Sequence, residues 1–412
     1  MRRRRLQHRE PTPENKILVE RAVAGWWYPC IIGLEATTPL RWSGREHLPE
    51  GPALILSNHA SLFDPFFTIM AAKRPIHWLA TQAAMQDPIL GRVLYTFGSV
   101  PKKKFVADAT AIRQLKKWSD YGGLVGSYPE GERSWDGELL PLLPGIESLV
   151  RLLKIPVVPV QVLNADRVMP RWAERRRSGQ VKVVFGEPRE FERKTKPELI
   201  REWLIEKLTI DQLDERNHFP VRSRGKLAAG LGNPLFRCPK CLAWDALIEA
   251  DDDLRCRECL ASWRITTHNT MEARSGGATT MTIVEARKQI RARNQADAFV
   301  VDQLRFEREG VVAQSEPMQL LDVSGDVAQP LGDWRMQLTA GALRFLDRAG
   351  EAKLELPLAL IVNANVELRR RLNFRMKDHT TYEAALPAES PLKWAQLVEH
   401  WRLAAGASTE DA

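Results

Sequence analysis

Five short apolar runs punctuate the first half of the chain: ALILS at 53–57, HWLAT at 77–81, LVGSY at 124–128, PVVPVQV at 156–162 and VKVVF at 181–185. Each has the length of a strand and lies between polar or turn-forming residues, the pattern of strands in a buried sheet. Helical patterns lie between them, notably at 108–121 and 145–153, and a charged helical segment over 197–213 closes the region. That alternation predicts an α/β domain with a mainly buried sheet flanked by helices. From 299 the pattern changes to short strands with turn signals, for example at 333–338, 343–346, 353–356 and 372–376. Ser390 and Pro391 then stand where an N-cap and first helical residue belong, and Trp394, Leu397, Val398 and Trp401 follow at helical spacing. A final helix with one apolar face against the preceding sheet is expected.

These changes divide the chain into an amphipathic, membrane-proximal segment at 1–35 and an α/β domain at 36–230. A cysteine-bearing segment at 234–266, a polar linker with a helix at 267–298 and a mainly-β domain at 299–406 follow. A length of 412 residues holds this many units at roughly 100 to 200 residues per large domain. The charge is uneven along it. Residues 1–230 carry 37 Lys and Arg against 26 Asp and Glu, whereas 231–412 carry 23 against 26. The basic first half implies an anionic partner: a phosphate, a phospholipid surface or a nucleic acid.

The cysteines bear on both compartment and metal. Cys238 with Cys241 and Cys256 with Cys259 form two Cys-x-x-Cys pairs separated by 14 residues, the spacing of a zinc ribbon with a structural Zn2+ held by four thiolates. With all four positions filled by protein, such a site stabilises rather than catalyses. Reduced thiols point to the cytoplasm. Cys30, alone in an apolar stretch, reads as a buried hydrophobe. Arg2 to Arg5 and the polar residues after them do not make a secretory signal. The apolar run Ala22 to Leu34 has 13 residues and contains Pro29, against roughly 20 for a spanning helix. Trp26, Trp27 and Tyr28 with Ile31, Ile32 and Leu34 therefore predict either an interfacial anchor with a basic flank or a helix packed on its own domain, not a span.

Three polar segments directly follow or interrupt the strand pattern. In Asn58-His59-Ala60-Ser61-Leu62-Phe63-Asp64-Pro65, Pro65 suits a first helical position, so Asp64 reads as the N-cap of a helix over 65–73. An imidazole held by a carboxylate has one nitrogen fixed as donor and the other free to take a proton from a hydroxyl. In Tyr128-Pro129-Glu130-Gly131-Glu132-Arg133-Ser134, glycine allows close backbone approach and an arginine beside it can grip a phosphate, although an ordinary polar turn has the same composition. Gly98 to Lys104 ends in Lys102, Lys103 and Lys104, a phosphate patch or a solvated surface.

In this order the segments resemble the blocks of the glycerolipid acyltransferase family, the 1-acylglycerol-3-phosphate acyltransferases and their relatives, over about residues 40–215. The matching stretches are Asn58 to Asp64, Gly98 to Lys104, Pro129 to Ser134 and IPVVPV at 155–160. The resemblance implies that His59 is a general base oriented by Asp64, and that Lys104, Glu130, Gly131 and Arg133 hold the acceptor's phosphate or glycerol end. It implies transfer of a fatty acyl group from an acyl thioester, acyl-CoA or acyl-ACP, to the hydroxyl of a lysophospholipid, first of all 1-acylglycerol-3-phosphate. Acyl carrier protein is a further partner on this reading, nucleic acid is not expected, and the enzyme sits peripherally on the inner face of the membrane. Two positions depart from the family pattern: Glu132 stands where Thr is usual and Lys104 where Arg is usual. The departures leave room for a different lipid acceptor; the rival from another class is a non-catalytic membrane adaptor, a degenerate acyltransferase domain carrying the zinc ribbon and the last domain. The last domain is similar in outline to PH-like or GRAM-like domains, which would make it a docking module.

Overall fold

An unbroken apolar strand needs a neighbour on each edge and a covering layer on each face. The computed structural model, which describes residues 10–87, 89–102, 108–223, 226–296, 299–325, 328–367 and 370–406, shows how the chain meets that demand. It falls into two compact units, one formed by Met1–Arg171 with Arg175–Arg224, the other by Trp172–Glu174 with Gly225–Ala412.

In chain order the first unit contains α1 (Pro13–Glu35), β1 (Leu40–Ser43), β2 (Ala53–Ser57), α2 (Asp64–Ala72), β3 (Ile76–Thr81), α3 (Gln82–Gln86), α4 (Leu90–Thr96) and β4 (Val100–Lys102). There follow α5 (Ala109–Asp120), β5 (Leu124–Ser127), α6 (Ile146–Leu153), β6 (Val157–Leu163), α7 (Ala165–Val168), β7 (Ser178–Gly179), β8 (Val181–Phe185), α8 (Pro197–Leu208) and β9 (Val221–Arg222). The seven-stranded sheet runs β1-β8-β6-β2-β5-β3-β4. All its neighbours pair in parallel except β6 with β8. Parallel neighbours cannot be joined by a tight hairpin, so helices carry the chain between them. β2 lies at the centre with all five residues buried, and alternation sends Leu54 and Leu56 to one face and Ile55 to the other. Leu54 and Leu56 join Leu115 and Trp118 of α5, Leu149 and Val150 of α6, and Ile200 and Leu204 of α8 in one apolar cluster. α8 ends at Leu208, short of the 213 expected, because Thr209 adopts an extended conformation.

The N-terminal helix differs from expectation. α1 has 23 residues and begins at Pro13, with the Thr12 hydroxyl accepting from the Asn15 N–H. Ile17, Leu18 and Val19 thereby join the apolar run, and the helix is long and apolar enough to cross a membrane by length and composition, with a mean hydropathy of 1.2. The expectation of a segment too short to span is corrected on length, since it counted from Ala22 and took Pro29 as an interruption, whereas Pro29 lies inside the helix. Trp27 is tied to α2 through Nε1, which donates to the Met70 carbonyl at 2.8 Å. Trp26, Tyr28 and Ile32 face outward, 57%, 65% and 70% exposed. One side of the helix packs on its own domain while the other stays bare.

The second unit begins with a five-stranded antiparallel sheet, β10 (Leu247–Ala250), β11 (Asp253–Cys256), β12 (Ser262–Ile265), β13 (Thr270–Ser275) and β14 (Met281–Thr282), in sequential order. β13 and β14 fall in the segment read as a polar linker. Its composition misled because an antiparallel edge can be wet on one face, and Met271 alone supplies the fully buried position. After α9 (Ile283–Ala296) and α10 (Gln303–Glu309) come β15 (Val311–Gln314), β16 (Met318–Asp322), β17 (Gln329–Thr339), β18 (Ala342–Leu346), β19 (Ala352–Pro357), β20 (Ile361–Val366), β21 (Arg371–Met376) and β22 (Thr381–Ala385). They form an antiparallel sheet in the order β19-β18-β17-β16-β22-β21-β20, with β15 also on β17. α11 (Pro391–Ala404) follows, capped by the Ser390 hydroxyl as expected. It packs on β20 and β21, burying Trp394, Leu397 and Val398.

One close approach in the first unit has a measurable consequence. Gly126 of β5 lies against the Trp78 indole of β3, and a Cβ there would stand 2.6 Å from the ring. Trp78 is 1% exposed and cannot move aside, so Gly126→Ala should destabilise this unit by about 1–3 kcal/mol. The check is its urea-unfolding midpoint, which should fall relative to the unsubstituted protein.

Candidate active site

The loop between β2 and α2 is fixed at both ends. Asn58 bridges to β6: its Oδ1 accepts from the Val162 N–H at 2.8 Å and its Nδ2 donates to the Val162 carbonyl at 3.2 Å. At the far end Asp64 is the first residue of α2, and Phe63, which makes no side-chain cap, precedes it. The expected N-cap role of Asp64 is corrected accordingly. Its carboxylate reaches back into the loop, where Oδ2 accepts from His59 Nδ1 at 2.9 Å and from the Ala60 and Ser61 N–H groups at 2.8 Å each. Three upstream donors on one oxygen hold the loop in a tight curl.

His59 is therefore oriented as the five-residue step to Asp64 predicts. The carboxylate can only accept from Nδ1, which assigns the proton there and leaves the lone pair on Nε2. Of the two ring nitrogens of His59, Nδ1 is the one in a hydrogen bond among the described residues. Burial lowers the imidazole's pKa below its ordinary 6.5; Asp64 opposes that shift, and the charges of Arg133 and Arg171 add to it. The ring is held neutral at neutral pH, the form that accepts a proton.

A column of rings supports it. His59 stacks on Tyr128 with centroids 3.9 Å apart and planes 17° from parallel, and Tyr128 stacks on Trp78 at 4.6 Å and 8°. The column stands on β5 and β3, and Gly126 leaves room for its base. Neither Tyr128 nor Trp78 carries a sequence signal for this role beyond aromatic character in predicted strands.

The turn after β5 brings the second polar segment to the same place. Gly131 has φ +70°, and a Cβ on it would lie 2.1 Å from Leu143 Cδ1, so the turn needs glycine for both conformation and space. Glu130 is buried. Its Oε1 accepts from the His59 N–H at 2.5 Å and its Oε2 from the Leu140 N–H at 2.8 Å, while the Ser134 N–H donates to the His59 carbonyl at 2.7 Å. Burial pushes the Glu130 carboxyl up to about 8 against the pull of these two N–H groups, with Asp64 and Glu132 adding to the rise. Its visible work is to staple the His59 loop to the turn. Glu132 pairs with Arg171, at 3.1 Å, and Arg133 follows directly. Lys104 lies outside the described residues. His59, Asp64, Glu130, Gly131 and Arg133 are thus brought together, with Arg171 as a member that nothing in the local sequence signalled.

The four cysteines converge separately in the second unit. All four sulfurs lie within 4.8 Å of one another, with Cys238 Sγ to Cys259 Sγ at 3.8 Å and Cys241 Sγ to Cys256 Sγ at 3.7 Å. A tetrahedral ion with zinc–sulfur bonds of about 2.3 Å sets its sulfurs about 3.8 Å apart, so the cluster fits one such ion. The two knuckles are built alike: Leu242 and Leu260 each follow a Cys-x-x-Cys pair, each at positive φ, 63° and 59°. Each N–H donates to the carbonyl of the first cysteine, at 2.8 and 3.1 Å. Leu254 and Trp263, cross-strand partners on β11 and β12, are fully buried beside them.

Part of the chain is similar to known proteins. A family model described as Acyltransferase matches residues 39–163. The chain is 27% identical over 150 residues to the chloroplastic 1-acyl-sn-glycerol-3-phosphate acyltransferase of Brassica napus, covering 35% of this chain and 43% of that one. It is 32% identical over 126 residues to the 1-acyl-sn-glycerol-3-phosphate acyltransferase of Limnanthes douglasii, covering 30% and 44%. It therefore spans less than half the length of these curated relatives. The crystal structure of the 1-acyl-sn-glycerophosphate acyltransferase of Thermotoga maritima is 20% identical, with a TM-score of 0.40, covering 45% of this chain and 75% of that one. Residues 39–163, which contain His59, Asp64 and the 130–134 turn, thus match the Acyltransferase family model, and the relatives similar to this part of the chain are 1-acyl-sn-glycerol-3-phosphate acyltransferases.

Proposed function

We propose that the protein transfers a fatty acyl group from an acyl thioester, acyl-CoA or acyl-ACP, to the hydroxyl of a lysophospholipid, with 1-acylglycerol-3-phosphate as the acceptor. The observation that carries this reading is the His59 Nδ1–Asp64 hydrogen bond of 2.9 Å on a half-buried ring whose Nε2 is left for substrate. In the reaction Nε2 takes the acceptor's hydroxyl proton as the oxygen attacks the thioester carbonyl. The carbon–sulfur bond then breaks, and the departing thiolate recovers the proton from the imidazolium. Asp64 holds the ring throughout, and the Tyr128 stack keeps its plane fixed. Glu130 acts here as a positioning residue, because both its oxygens are engaged by backbone. Gly131 gives the turn its shape, and Arg133 with Lys104 meets the acceptor's phosphate.

The membrane enters through the acceptor and through α1. Tyr28 and Ile32, one turn apart, form a bare apolar side of α1, Trp26 is exposed elsewhere on the helix, and Leu62 and Phe63, in the His59 loop, are 38% and 37% exposed. Apolar groups so close to the imidazole suit an acyl chain or the lipid it leaves. Attachment is read as peripheral, at the cytoplasmic face. The Cys238, Cys241, Cys256 and Cys259 cluster holds a structural Zn2+, whose binding energy would stabilise the ribbon; the β module that follows serves as a docking domain.

His59→Ala should lower kcat for thioester consumption at least about 100-fold. The acid limb of kcat/KM in the unsubstituted enzyme should fall below pH 6.5, because the base is lost only when the depressed imidazole protonates; a limb above pH 7, or an equally active His59→Ala protein, sinks the reading. Protein purified without chelator should contain one equivalent of zinc, and Cys256→Ser should lose both the metal and the stability of the second unit. Metal content near zero in the unsubstituted protein would refute the zinc assignment.

A further inference from the structure

Glu132 sets a carboxylate beside Arg133, where a phosphate-bearing acceptor would meet repulsion. Arg171, 39 positions later and just beyond α7, answers that charge. Its Nη1 and Nη2 both lie 3.1 Å from Glu132 Oε2, and Nη1 also donates to the Arg133 carbonyl. The guanidinium lies 4.5 Å over the Trp135 ring. The Arg171 side chain is 2% exposed, whereas that of Glu132 is 38% exposed. A buried guanidinium is tolerated only where carboxylate, carbonyl and ring face replace water, and all three are present. Arg171 is thus shut away from the acceptor while gripping Glu132 and the backbone carbonyl of Arg133, the residue that would meet it.

We propose that Arg171 is a positioning residue that decides acceptor charge: paired with Glu132, it cancels that carboxylate and fixes the Arg133 peptide, so that Arg133 can receive a phosphate monoester. The proposal rests on the acyl-transfer reading and deepens it. Loss of Arg171 leaves Glu132 beside the phosphate, so binding of the acceptor suffers before the chemical step does. Removing Glu132 as well takes the repulsion away.

The test uses the full-length protein, Arg171→Met, Glu132→Thr and the double variant, each with 1-acylglycerol-3-phosphate and with an uncharged monoacylglycerol, alongside their unfolding midpoints. In Arg171→Met the KM for this acceptor should rise on the order of 10- to 100-fold, the size expected for one uncompensated charge near a protein surface, with kcat within about threefold. The double variant should return KM to within about threefold of the unsubstituted enzyme. The acid limb of Arg171→Met should move to higher pH, since one of the cations depressing His59 is gone. A fall in kcat with KM unchanged, or a double variant tenfold or more worse in KM than the unsubstituted enzyme, overturns the proposal. If Arg171→Met does not fold, the KM of the double variant decides between the same two outcomes. An unsubstituted enzyme that acylates only uncharged acceptors overturns this proposal while leaving acyl transfer standing; one that consumes thioester with no acceptor removes both.

Discussion

One oxygen organises the site. Asp64 Oδ2 draws the His59 ring and the Ala60 and Ser61 N–H groups to a single point, and the loop has little freedom once those three bonds form. Because Asp64 is also the first residue of α2, the loop's geometry is referred to a helix packed against the sheet, and a packed helix end is a steadier support than a loop. Asn58 ties the other end to β6, so the loop spans two rigid elements. The imidazole's tautomer and its orientation follow from that arrangement, while burial depresses its pKa against the opposing pull of Asp64.

The turn at 128–134 depends on the same loop from the other side. Glu130 accepts the His59 N–H and the Ser134 N–H donates to the His59 carbonyl, so the peptide units on either side of His59 are both held by the turn. A buried carboxyl with two backbone donors is a costly device, as its raised pKa shows. Two backbone N–H donors, from His59 and Leu140, offset part of that cost. The two polar segments form one unit and would be perturbed together.

What could be read from the chain followed the range of each interaction. The five apolar strands were legible because a strand buried on both faces leaves an unbroken run, and the cysteine knuckles because their ligands lie three residues apart. His59 and Asp64 were legible for the same local reason, though the direction of the carboxylate was not: an aspartate before proline reads as a forward cap, and three donors behind it decide otherwise. Glu132 and Arg171 were invisible as a pair because 39 positions and a strand separate them, and only the return of the chain after β6 closes the distance. β13 and β14 were hidden by polar composition, since an edge hairpin needs few apolar residues. The length of α1 was hidden by its proline, which interrupts a pattern without ending a helix.

That proline has one more consequence. Pro29 has no N–H, so the carbonyl of Gly25, four residues earlier, is denied the partner that an uninterrupted helix would supply. Facing water, such a carbonyl is satisfied at no great cost. At hydrocarbon depth, an oxygen without a partner is disfavoured by several kcal/mol. The helix thus carries a test of depth near its middle: against a bilayer, hydrated headgroups would suit the Gly25 carbonyl and hydrocarbon would not.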